Sequence, residues 1–461
     1  MSHSVIILAA GEGKRMRSAR PKVLAELAGR PLLAHVIDTA RMLDPRNIVI
    51  VVHGQGGHLV RANFPDTDLS WVEQVERRGT ADAVHAALPE LPKDGSVLVL
   101  YGDVPLLQAD TLAPLLESAD RDELAVLTAR LDDPFGYGRI VRDESGAVQK
   151  IVEERDANET ERSIREINTG VVAAPADRLS QWIPRIENDN AQGEYYLTDT
   201  LALAVADGVK VRTVEVGDPA STAGVNNRAQ LAAAERELRR RSAAALMASG
   251  VTLVDPERID VRGRLECGHD VHIEPNCVFE GHVVLGSGVR VDAGVVIRDA
   301  WVGDGTHLRA YSVIENAKIG AEAVVGPYAR LRPGTELGDA AHVGNFVELK
   351  NTHLGHGSKA NHLAYLGDAE IGQHVNVGAG VITCNYDGAN KHKTVIGDDA
   401  FIGSDSPLVA PVTIGEGATI GAGSTVTADV PPGKLVLARS RQTMIEGWER
   451  PRKTRSDPDK Q

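Results

Sequence analysis

Two glycines and two cations follow an apolar run near the start of the chain. The run Val5–Ala10 leads into Gly11 and Gly13, and Arg15 and Lys22 come shortly after them. Glycines let the backbone pass close to a ligand, and cations beside backbone amides suit phosphate oxygens. The pattern is neither a Walker loop nor a dinucleotide fingerprint, because its lysine spacing differs and a methionine takes the third glycine position. Alone, it predicts either an oxyanion site or a turn with surface cations.

The histidines and cysteines do not follow the spacing of metal ligands. Cys267, Cys277 and Cys384 form neither a close metal pair nor an even disulfide set, which favours a reduced compartment. His353 and His356 are close in sequence but have no further ligands at a sensible spacing. We therefore expect these side chains to be solvated and not to bind a metal.

Large aliphatic residues recur every six positions through most of the second half. The blocks are Ile273, Phe279, Leu285, Val291 and Ile297; Val302, Leu308 and Ile314; Ile319, Val325, Leu331, Leu337, Val343 and Leu349; and Ile396, Ile402, Leu408, Ile414, Ile420 and Val426. Glycine directly follows many of them, and this short period is typical of a hexapeptide-repeat parallel β-helix. Two stretches, Gly357–Tyr365 and Thr383–Thr394, are predicted to be insertions that leave the rhythm and carry a binding surface.

The first half alternates strand-like runs with helical patterns. Strands are predicted at Val5–Ala10, Ile48–His53, Val97–Tyr101, Leu124–Thr128 and Gly170–Ala174, with helices at Leu32–Met42, Thr80–Ala87 and Thr111–Ser118. This alternation predicts an α/β domain with a Rossmann-like mixed sheet that is mostly parallel. Ligands of such sheets lie beyond the carboxyl ends of the strands, so we expect the loops after Ala10 and Tyr101 to bind them.

A segment of strong helix formers separates the two patterns. Residues 228–249 are rich in alanine, leucine, glutamate and arginine, and they predict one helix that ends at Gly250. We expect an α/β domain over 1–227, a helical linker over 228–249 and a solenoid over 250–461, with a disordered tail from Glu449. The helix is either a rigid spacer or an ordinary helix packed on one domain.

Composition argues against some partners. The 461 residues carry a formal net charge of −14 and no long basic run beyond Arg239–Arg241, which argues against nucleic acid as the main partner. The apolar run at the N-terminus is too short for an export signal or a membrane span. We therefore expect no membrane partner and a cytoplasmic location.

An ordered set of further residues carries a family resemblance. The first half contains Gln74, Gly79-Thr80, Tyr101-Gly102-Asp103, Gly136–Arg139, Glu153, Asn168–Gly170 and Val225–Asn227, and the solenoid contains Arg332, Lys350, His362, Tyr365, Asn376, Asn385-Tyr386, Ser404, Ala422 and Arg439. With the glycine and cation motif, this set resembles the sugar-1-phosphate nucleotidyltransferases. More closely, the set resembles the bifunctional N-acetylglucosamine-1-phosphate uridyltransferase/glucosamine-1-phosphate N-acetyltransferase family. It extends from Ser4 to about Trp448.

The resemblance implies a uridyltransferase site in the first domain. It assigns the uridine nucleotide to Leu8, Ala9, Ala10, Gly11, Gln74, Gly79 and Thr80, its phosphates to Arg15 and Lys22, further substrate contacts to Tyr101, Gly102 and Asp103, the sugar to Gly138, Glu153 and Asn168, and Mg²⁺ to Asp103 and Asn226. Carboxylate and amide oxygens suit Mg²⁺. The attacking sugar phosphate is already ionised, so the reaction needs alignment and charge neutralisation and no general base. Ala81 departs from the glycine expected in the Gly-Thr segment.

The resemblance also implies an acetyltransferase site in the solenoid. A neutral amine must attack a thioester there, and His362 is the expected general base, with Glu348 as a candidate to orient its imidazole. Glucosamine 1-phosphate is assigned to Arg332, Lys350, Tyr365, Asn376, Asn385 and Tyr386, and acetyl-CoA to Ala379, Ser404, Ala422 and Arg439. Fixed cations are what the sugar phosphate requires.

Together these sites imply an enzyme with two activities. The solenoid would acetylate glucosamine 1-phosphate with acetyl-CoA, and the first domain would transfer UMP from UTP to the product. The second step gives pyrophosphate and UDP-N-acetylglucosamine, a cell-envelope precursor. The resemblance further implies Mg²⁺ and a homotrimer with sites between neighbouring solenoids. Two other hypotheses stay open: a nucleotidyltransferase whose solenoid only binds regulators, and a binding protein with a decayed nucleotide fold.

Overall fold

The structure, a computed structural model, describes residues 2–11 and 13–452, without the side chain of Gln55. The chain divides into two units. The first contains the described residues of Met1–Ala245 with Ile259–Gly263, and the second those of Leu246–Arg258 with Arg264–Gln461. Most of the tail predicted to be disordered lies outside the described residues. In the part of the chain that is described, no helix has the length and apolar character needed to cross a bilayer.

A nine-stranded mixed sheet forms the centre of the first unit. The strands of this unit are β1 (His3–Leu8), β2 (Glu26–Leu27), β3 (Arg30–Pro31), β4 (Ile48–Val52), β5 (Leu69–Glu73), β6 (Ser96–Tyr101), β7 (Leu124–Arg130), β8 (Arg139–Arg142), β9 (Val148–Val152), β10 (Glu166–Pro175) and β11 (Val211–Glu215). The order is β11-β7-β10-β6-β1-β4-β5, with β8 and β9 attached beside β10 and with β2 and β3 as a separate pair. Strand β10 is antiparallel to both neighbours, whereas the β1, β4, β5 and β6 ladders are parallel. The predicted sheet class is confirmed.

Helices cover both faces of this sheet, which explains its continuous apolar strands. The helices are α1 (Leu32–Arg41), α2 (Gly54–Ala62), α3 (Thr80–Ala87), α4 (Ala109–Ala119), α5 (Glu159–Arg162), α6 (Ala176–Trp182), α7 (Asp199–Ala206) and α8 (Arg228–Ala248). Alternate residues of β1 enter opposite cores, with Ile7 in one cluster and Ile6 in the other. A strand buried on both sides has no polar face, so its sequence shows an unbroken apolar run.

Helix α8 packs against the first unit along most of its length. Leu231 and Leu238 contact a small apolar cluster built from β2, α1 and the segment before α4. Arg241 donates to the Leu106 carbonyl at 2.7 Å and pairs with Asp218 at 2.9 Å. Up to Ala245, α8 therefore packs on the first unit as an ordinary helix of that unit does.

Short parallel strands stacked in coils form the second unit. One sheet contains Thr252–Leu253, His272–Ile273, Arg290–Val291, His307–Leu308, Val324–Val325, His342–Asn345, Lys359–His362, Asn376–Val377, Phe401–Ile402, Thr419–Ile420 and Leu435–Val436. The other contains Ile259–Cys267, Cys277–Leu285, Val296–Val302, Val313–Glu315, Ala317–Ile319, Arg330–Leu331, Thr335–Leu337, Glu348–Lys350, His353–Leu354, Tyr365–Gly367, Ala369–Ile371, Ile382–Cys384, Thr394–Ile396, Pro407–Val409 and Val412–Ile414. Every aliphatic anchor of the predicted period is at most 5% exposed, which confirms the hexapeptide β-helix.

The two predicted insertions have different outcomes. Gly357–Tyr365 stays in the coil, because Leu354, Ala360 and Leu366 continue the six-residue spacing and are fully buried. The predicted insertion there is wrong, since an alanine fills the interior position where a larger aliphatic was expected. The second is confirmed: the chain leaves the coil after Ile382–Cys384 and rejoins it at Thr394–Ile396.

Candidate active sites

A cavity of about 260 Å³ lies at the carboxyl ends of β1 and β6. It is lined by Leu8, Ala9, Ala10, Gly11, Lys22, Val23, Gln74, Arg77, Gly79, Thr80, Ala83, Tyr101, Asp103 and Glu194. Most residues predicted to contact the nucleotide and its phosphates are therefore side by side. Parallel strands bring them together, because their carboxyl ends meet at one edge of the sheet. Glu194 and Arg77 were not predicted, and neither belongs to a recognisable sequence motif.

The glycine loop is shaped around the stem of Lys22. Gly13 has a φ of +65°, and a Cβ there would lie 2.5 Å from the Lys22 Cβ, so a side chain would displace the lysine. Gly11 faces open space at the cavity wall. Arg15 is exposed in the helical turn Lys14–Met16 and is not among the lining residues of the cavity.

The Lys22 ammonium lies between the two predicted metal ligands. It contacts the Asp103 carboxylate and donates to the Asn226 amide oxygen at 2.8 Å. The Val225 amide donates to the Asp103 carbonyl at 2.8 Å, which fixes the two segments against each other. Two oxygens from distant parts of the chain thus face one cation.

This donor set suits Mg²⁺. One carboxylate and one amide oxygen are enough for an ion that keeps several waters and takes further ligands from substrate phosphates. The shared contact with one ammonium shows that both oxygens can face a single cation. Residues 2–11 and 13–452 contain no cluster of three or more His, Cys, Asp or Glu side chains that could hold a metal.

The residues predicted to contact the sugar form a second group beside the cavity. The backbone N–H of Asn168 donates to the Gly138 carbonyl at 2.8 Å, and a Cβ on Gly138 would lie 3.3 Å from Glu153 Oε1. The Thr198 hydroxyl donates to Glu153 at 3.2 Å. Burial raises the pKa of Glu153. Tyr101 lines the cavity, and burial together with the nearby charge of Glu153 raises the pKa of its hydroxyl.

Ala81 does not narrow the cavity of the first unit. Its side chain is 1% exposed and packs in the core with Ile6 and Val84, while its backbone amide donates to the Tyr195 carbonyl at 2.9 Å. The methyl group that replaces the expected glycine hydrogen therefore lies in the core. Gly79 has a different constraint, because its φ is +125° and its Cα packs directly against the Tyr195 backbone.

In the solenoid, His362 belongs to a column of residues along one sheet. The parallel register pairs Asn345 with His362, and its continuation places Ala379, Ser404 and Ala422 on the following coils. The Asp405 amide donates to the Ala379 carbonyl at 2.7 Å, as this register requires. The column thus joins the predicted base to the predicted acetyl-CoA residues.

Two further predicted residues lie close to this column. Arg439 donates to the Ala422 carbonyl at 2.7 Å, at the end of the column. Asn376 lies on the same sheet as His362 and pairs in register with Lys359 and Phe401.

The imidazole of His362 is exposed and has Asn345 as its partner. His362 Nδ1 lies 3.1 Å from the Asn345 amide oxygen. With that oxygen as acceptor, Nδ1 carries the proton and Nε2 can accept one, which is the tautomer that a general base requires. Glu348 accepts from Arg332 at 2.8 Å, and its role in orienting the imidazole stays a prediction.

The remaining residues predicted to bind the sugar phosphate lie around the next corner of the coil. Lys350 lies 3.6 Å from the Asp368 carboxylate, and the Asn385 amide donates to the same carboxylate at 2.5 Å. Tyr365 folds over Gly367, where a Cβ would collide with the tyrosine hydroxyl. The corner between this group and His362 is Leu363, with a φ of +44°.

The inserted loop contributes a cation that was not predicted. The Asp387 carboxylate accepts from the Ala389 and Asn390 amides and from His392 at 2.7 to 2.8 Å, and these hydrogen bonds lower its pKa. The backbone of Lys391 forms an antiparallel β-bridge with Tyr386, and the neighbouring Lys350 lowers the pKa of Lys391. The loop thus places a second lysine near Lys350, one of the residues predicted to bind the sugar phosphate.

Comparisons with known proteins agree with this two-part architecture. The MobA-like NTP transferase domain matches residues 5–193. In the solenoid, the GMPPB C-terminal domain matches residues 261–354, and the bacterial transferase hexapeptide (six repeats) matches residues 393–428. These matches cover all lining residues of the cavity except Glu194, and much of the coil.

Similar full-length proteins carry one name. The chain is 56% identical to Bifunctional protein GlmU of Azoarcus sp. strain BH72, over 98% of this chain and 100% of that protein. Identity is 55% to the protein of the same name from Ralstonia nicotianae and 57% to that from Burkholderia thailandensis, again over 98% of this chain and 100% of each relative. Because relatives are matched from end to end at more than half identity, the chain belongs to the GlmU family of bifunctional transferases.

Proposed function

We propose that the cavity of the first unit carries the uridylyl transfer of this bifunctional enzyme and that the His362 column carries its acetyl transfer. The enzyme acetylates glucosamine 1-phosphate with acetyl-CoA and transfers UMP from UTP to N-acetylglucosamine 1-phosphate. The observation that carries the assignment is the separate clustering of two residue sets, one at the sheet edge and one along the coil. A reducing cytoplasm fits the described cysteines, which are all free.

In the first site, charge neutralisation is the main task of the protein. Asp103 and Asn226 would hold Mg²⁺, which supplies positive charge at the reacting phosphates. Lys22 adds a cation on a flexible stem, and the glycine loop allows the phosphates to approach the backbone. Glu153 accepts hydrogen bonds from the sugar hydroxyls, and Asn168 donates to them. These contacts orient the attacking phosphate.

In the second site, His362 accepts the proton that the substrate ammonium must lose. The amine then attacks the thioester carbonyl, and coenzyme A leaves as its thiol after protonation. Arg332 and Lys350 supply positive charge for the sugar phosphate, and Lys391 of the inserted loop lies near Lys350. The open backbone along Ser404 and Ala422 is suited to hydrogen bonds with an extended pantetheine arm.

Replacing Glu153 with glutamine should weaken sugar binding without loss of stability. Burial raises the folded pKa of Glu153 above its unfolded value, so the ionised carboxylate disfavours folding at pH above that folded pKa, and protonation relieves this cost. We expect the KM for N-acetylglucosamine 1-phosphate to rise about tenfold or more. We expect the midpoint of thermal unfolding at neutral pH to stay the same or rise.

Steady-state kinetics measured from neutral pH downward test this role, because burial raises the pKa of Glu153 above its usual value. The ratio of variant to wild-type KM should fall as the pH decreases, because the wild-type carboxylate becomes protonated while glutamine does not change. Titration of the substrate phosphate affects both proteins equally and cancels in the ratio. A Glu153→Gln variant whose KM for the sugar phosphate equals that of wild type would exclude the carboxylate as the group that binds the sugar.

An exposed aromatic stack supports a homotrimer built through the solenoid. Tyr311, Tyr328 and Phe346 occupy successive coil corners, with ring centroids 5.3 and 5.6 Å apart, and each is at least 50% exposed. Leu363, beside His362, is 62% exposed on the next coil. Exposed apolar rows of this kind are typical of protein interfaces.

In the proposed trimer, a second copy packs against the face beside His362. A variant that cannot form the trimer should therefore also lose acetyl transfer. Phe346→Glu should give a 49.2 kDa monomer by sedimentation, in contrast to a wild-type trimer. The monomer should retain uridylyl transfer and lose acetyl transfer. A monomeric variant with full acetyl transfer would contradict a site shared between copies.

Mass spectrometry of a complete reaction tests the whole assignment. Glucosamine 1-phosphate, acetyl-CoA, UTP and Mg²⁺ should give UDP-N-acetylglucosamine. Without UTP, the acetylated sugar phosphate should accumulate; without acetyl-CoA, no acetylated product should form. If the solenoid only binds regulators, acetyl-CoA is not consumed in any mixture.

A further inference from the structure

We infer that Lys22 occupies the metal position of the first site while no nucleotide is bound, so that the divalent cation is admitted together with UTP and not before it. The inference rests on the proposed metal ligands Asp103 and Asn226. It concerns the order in which the two cations use these oxygens.

The geometry shows one position shared by both ligands. The Lys22 ammonium contacts the Asp103 carboxylate and, at the same time, the Asn226 amide oxygen at 2.8 Å. The side chains of Lys22 and Asp103 are only 10% and 17% exposed. Little water reaches the pair, so the ammonium and the carboxylate compensate each other's charge directly.

A dication cannot join this arrangement without displacing the ammonium. Both would need the same two oxygens, and like charges at about 4 Å repel strongly in a partly buried site. If the ammonium moved away from Asp103 with no other anion to contact, it would be a buried charge without a partner, which is also unfavourable. Without nucleotide, the site therefore favours lysine over metal.

UTP provides the alternative partner that the displaced lysine needs. Its triphosphate carries several negative charges, and the Lys22 stem is long enough to move its ammonium from the carboxylate to a phosphate. The cavity that contains Lys22 and Asp103 also contains Gly11 and Gln74, so nucleotide and lysine share one space. Metal entry and lysine displacement thus become a single step, in which the site keeps its charge balance.

Mn²⁺ is a suitable probe because its free and bound forms differ in electron paramagnetic resonance. We would titrate Mn²⁺ into the full-length protein without nucleotide, comparing wild type with Lys22→Met and Lys22→Gln. Both variants remove the ammonium, and methionine keeps most of the stem. We expect each variant to bind Mn²⁺ at least about tenfold more tightly than wild type.

Lys150→Met is the matched control for loss of one positive charge. Lys150 pairs with Glu161 at 3.1 Å on the surface of the same unit, away from the cavity. We expect this variant to bind Mn²⁺ as wild type does. In Lys22→Met/Asp103→Asn the gain should disappear, which locates the bound ion. Circular dichroism checks that every variant is folded.

The outcomes separate this inference from the proposed metal ligands. If both folded Lys22 variants bind Mn²⁺ no more tightly than wild type, or if the gain survives Asp103→Asn, the lysine does not hold the metal position. The ligand assignment is tested separately by Mn²⁺ binding in the presence of UTP. If Asp103→Asn does not weaken that binding, the ligands themselves are wrong.

Discussion

The Asp103→Ala variant is expected to lose uridylyl transfer by at least about 10³-fold and to keep acetyl transfer. Asp103 is the only carboxylate described as touching the Lys22 ammonium, and it supplies the charged half of the proposed metal site. The loss leaves Asn226, a neutral oxygen that binds Mg²⁺ weakly on its own. The acetyl-transfer residues lie in the other unit and should not be affected.

Two further variants make this result specific. Removing one partner of a buried ion pair leaves the other without compensation, so Asp103→Ala is also expected to lower the stability of the first unit. Asp103→Asn keeps the shape and should lose nearly as much activity with a smaller loss of stability. Asp110→Ala removes an exposed carboxylate at the start of α4 and should leave both activities unchanged. Separate assays of uridylyl transfer and of acetyl transfer test this assignment. Uridylyl transfer retained by folded Asp103→Ala would refute it.

The sequence predicted the first unit well because its strands are buried on both faces. Runs such as Ile48–Val52 are fully buried and have no polar alternation to confuse with a loop. The contact of Lys22 with Asn226 spans 204 residues, and no local pattern indicates it. Glu194 lines the cavity of the first unit from a segment without a motif, so only the folded chain identifies it.

In the solenoid, the interior anchors were predictable and the positions of side chains around the corners were not. A search for large aliphatics passes over Ala360, although a coil interior accepts an alanine among larger neighbours. That error placed His362 in an insertion, whereas it lies within a regular strand. The sequence does not indicate Lys391, because this lysine becomes a candidate only through its proximity to Lys350, a coil residue from another part of the sequence.

Replacing His362 with alanine is expected to lower acetyl transfer by roughly 10²–10⁴-fold, the usual contribution of a general base. The register supports this role more strongly than the sequence did, because it joins His362 to Ala379 and Ser404 on successive coils. A thioester bound along that column would lie next to the imidazole. Uridylyl transfer should be unchanged, since its residues lie in the other unit.

Asn345 and His353 provide the comparison that separates catalysis from structure. Asn345→Ala removes the partner of Nδ1 and should give a smaller loss than His362→Ala, with kcat lowered and the KM for the sugar phosphate nearly constant. His353→Ala changes an exposed histidine of the same coil and should have no effect. If His362→Ala acetylates at a nearly normal rate, the substrate amine loses its proton by another route, and the column only positions acetyl-CoA.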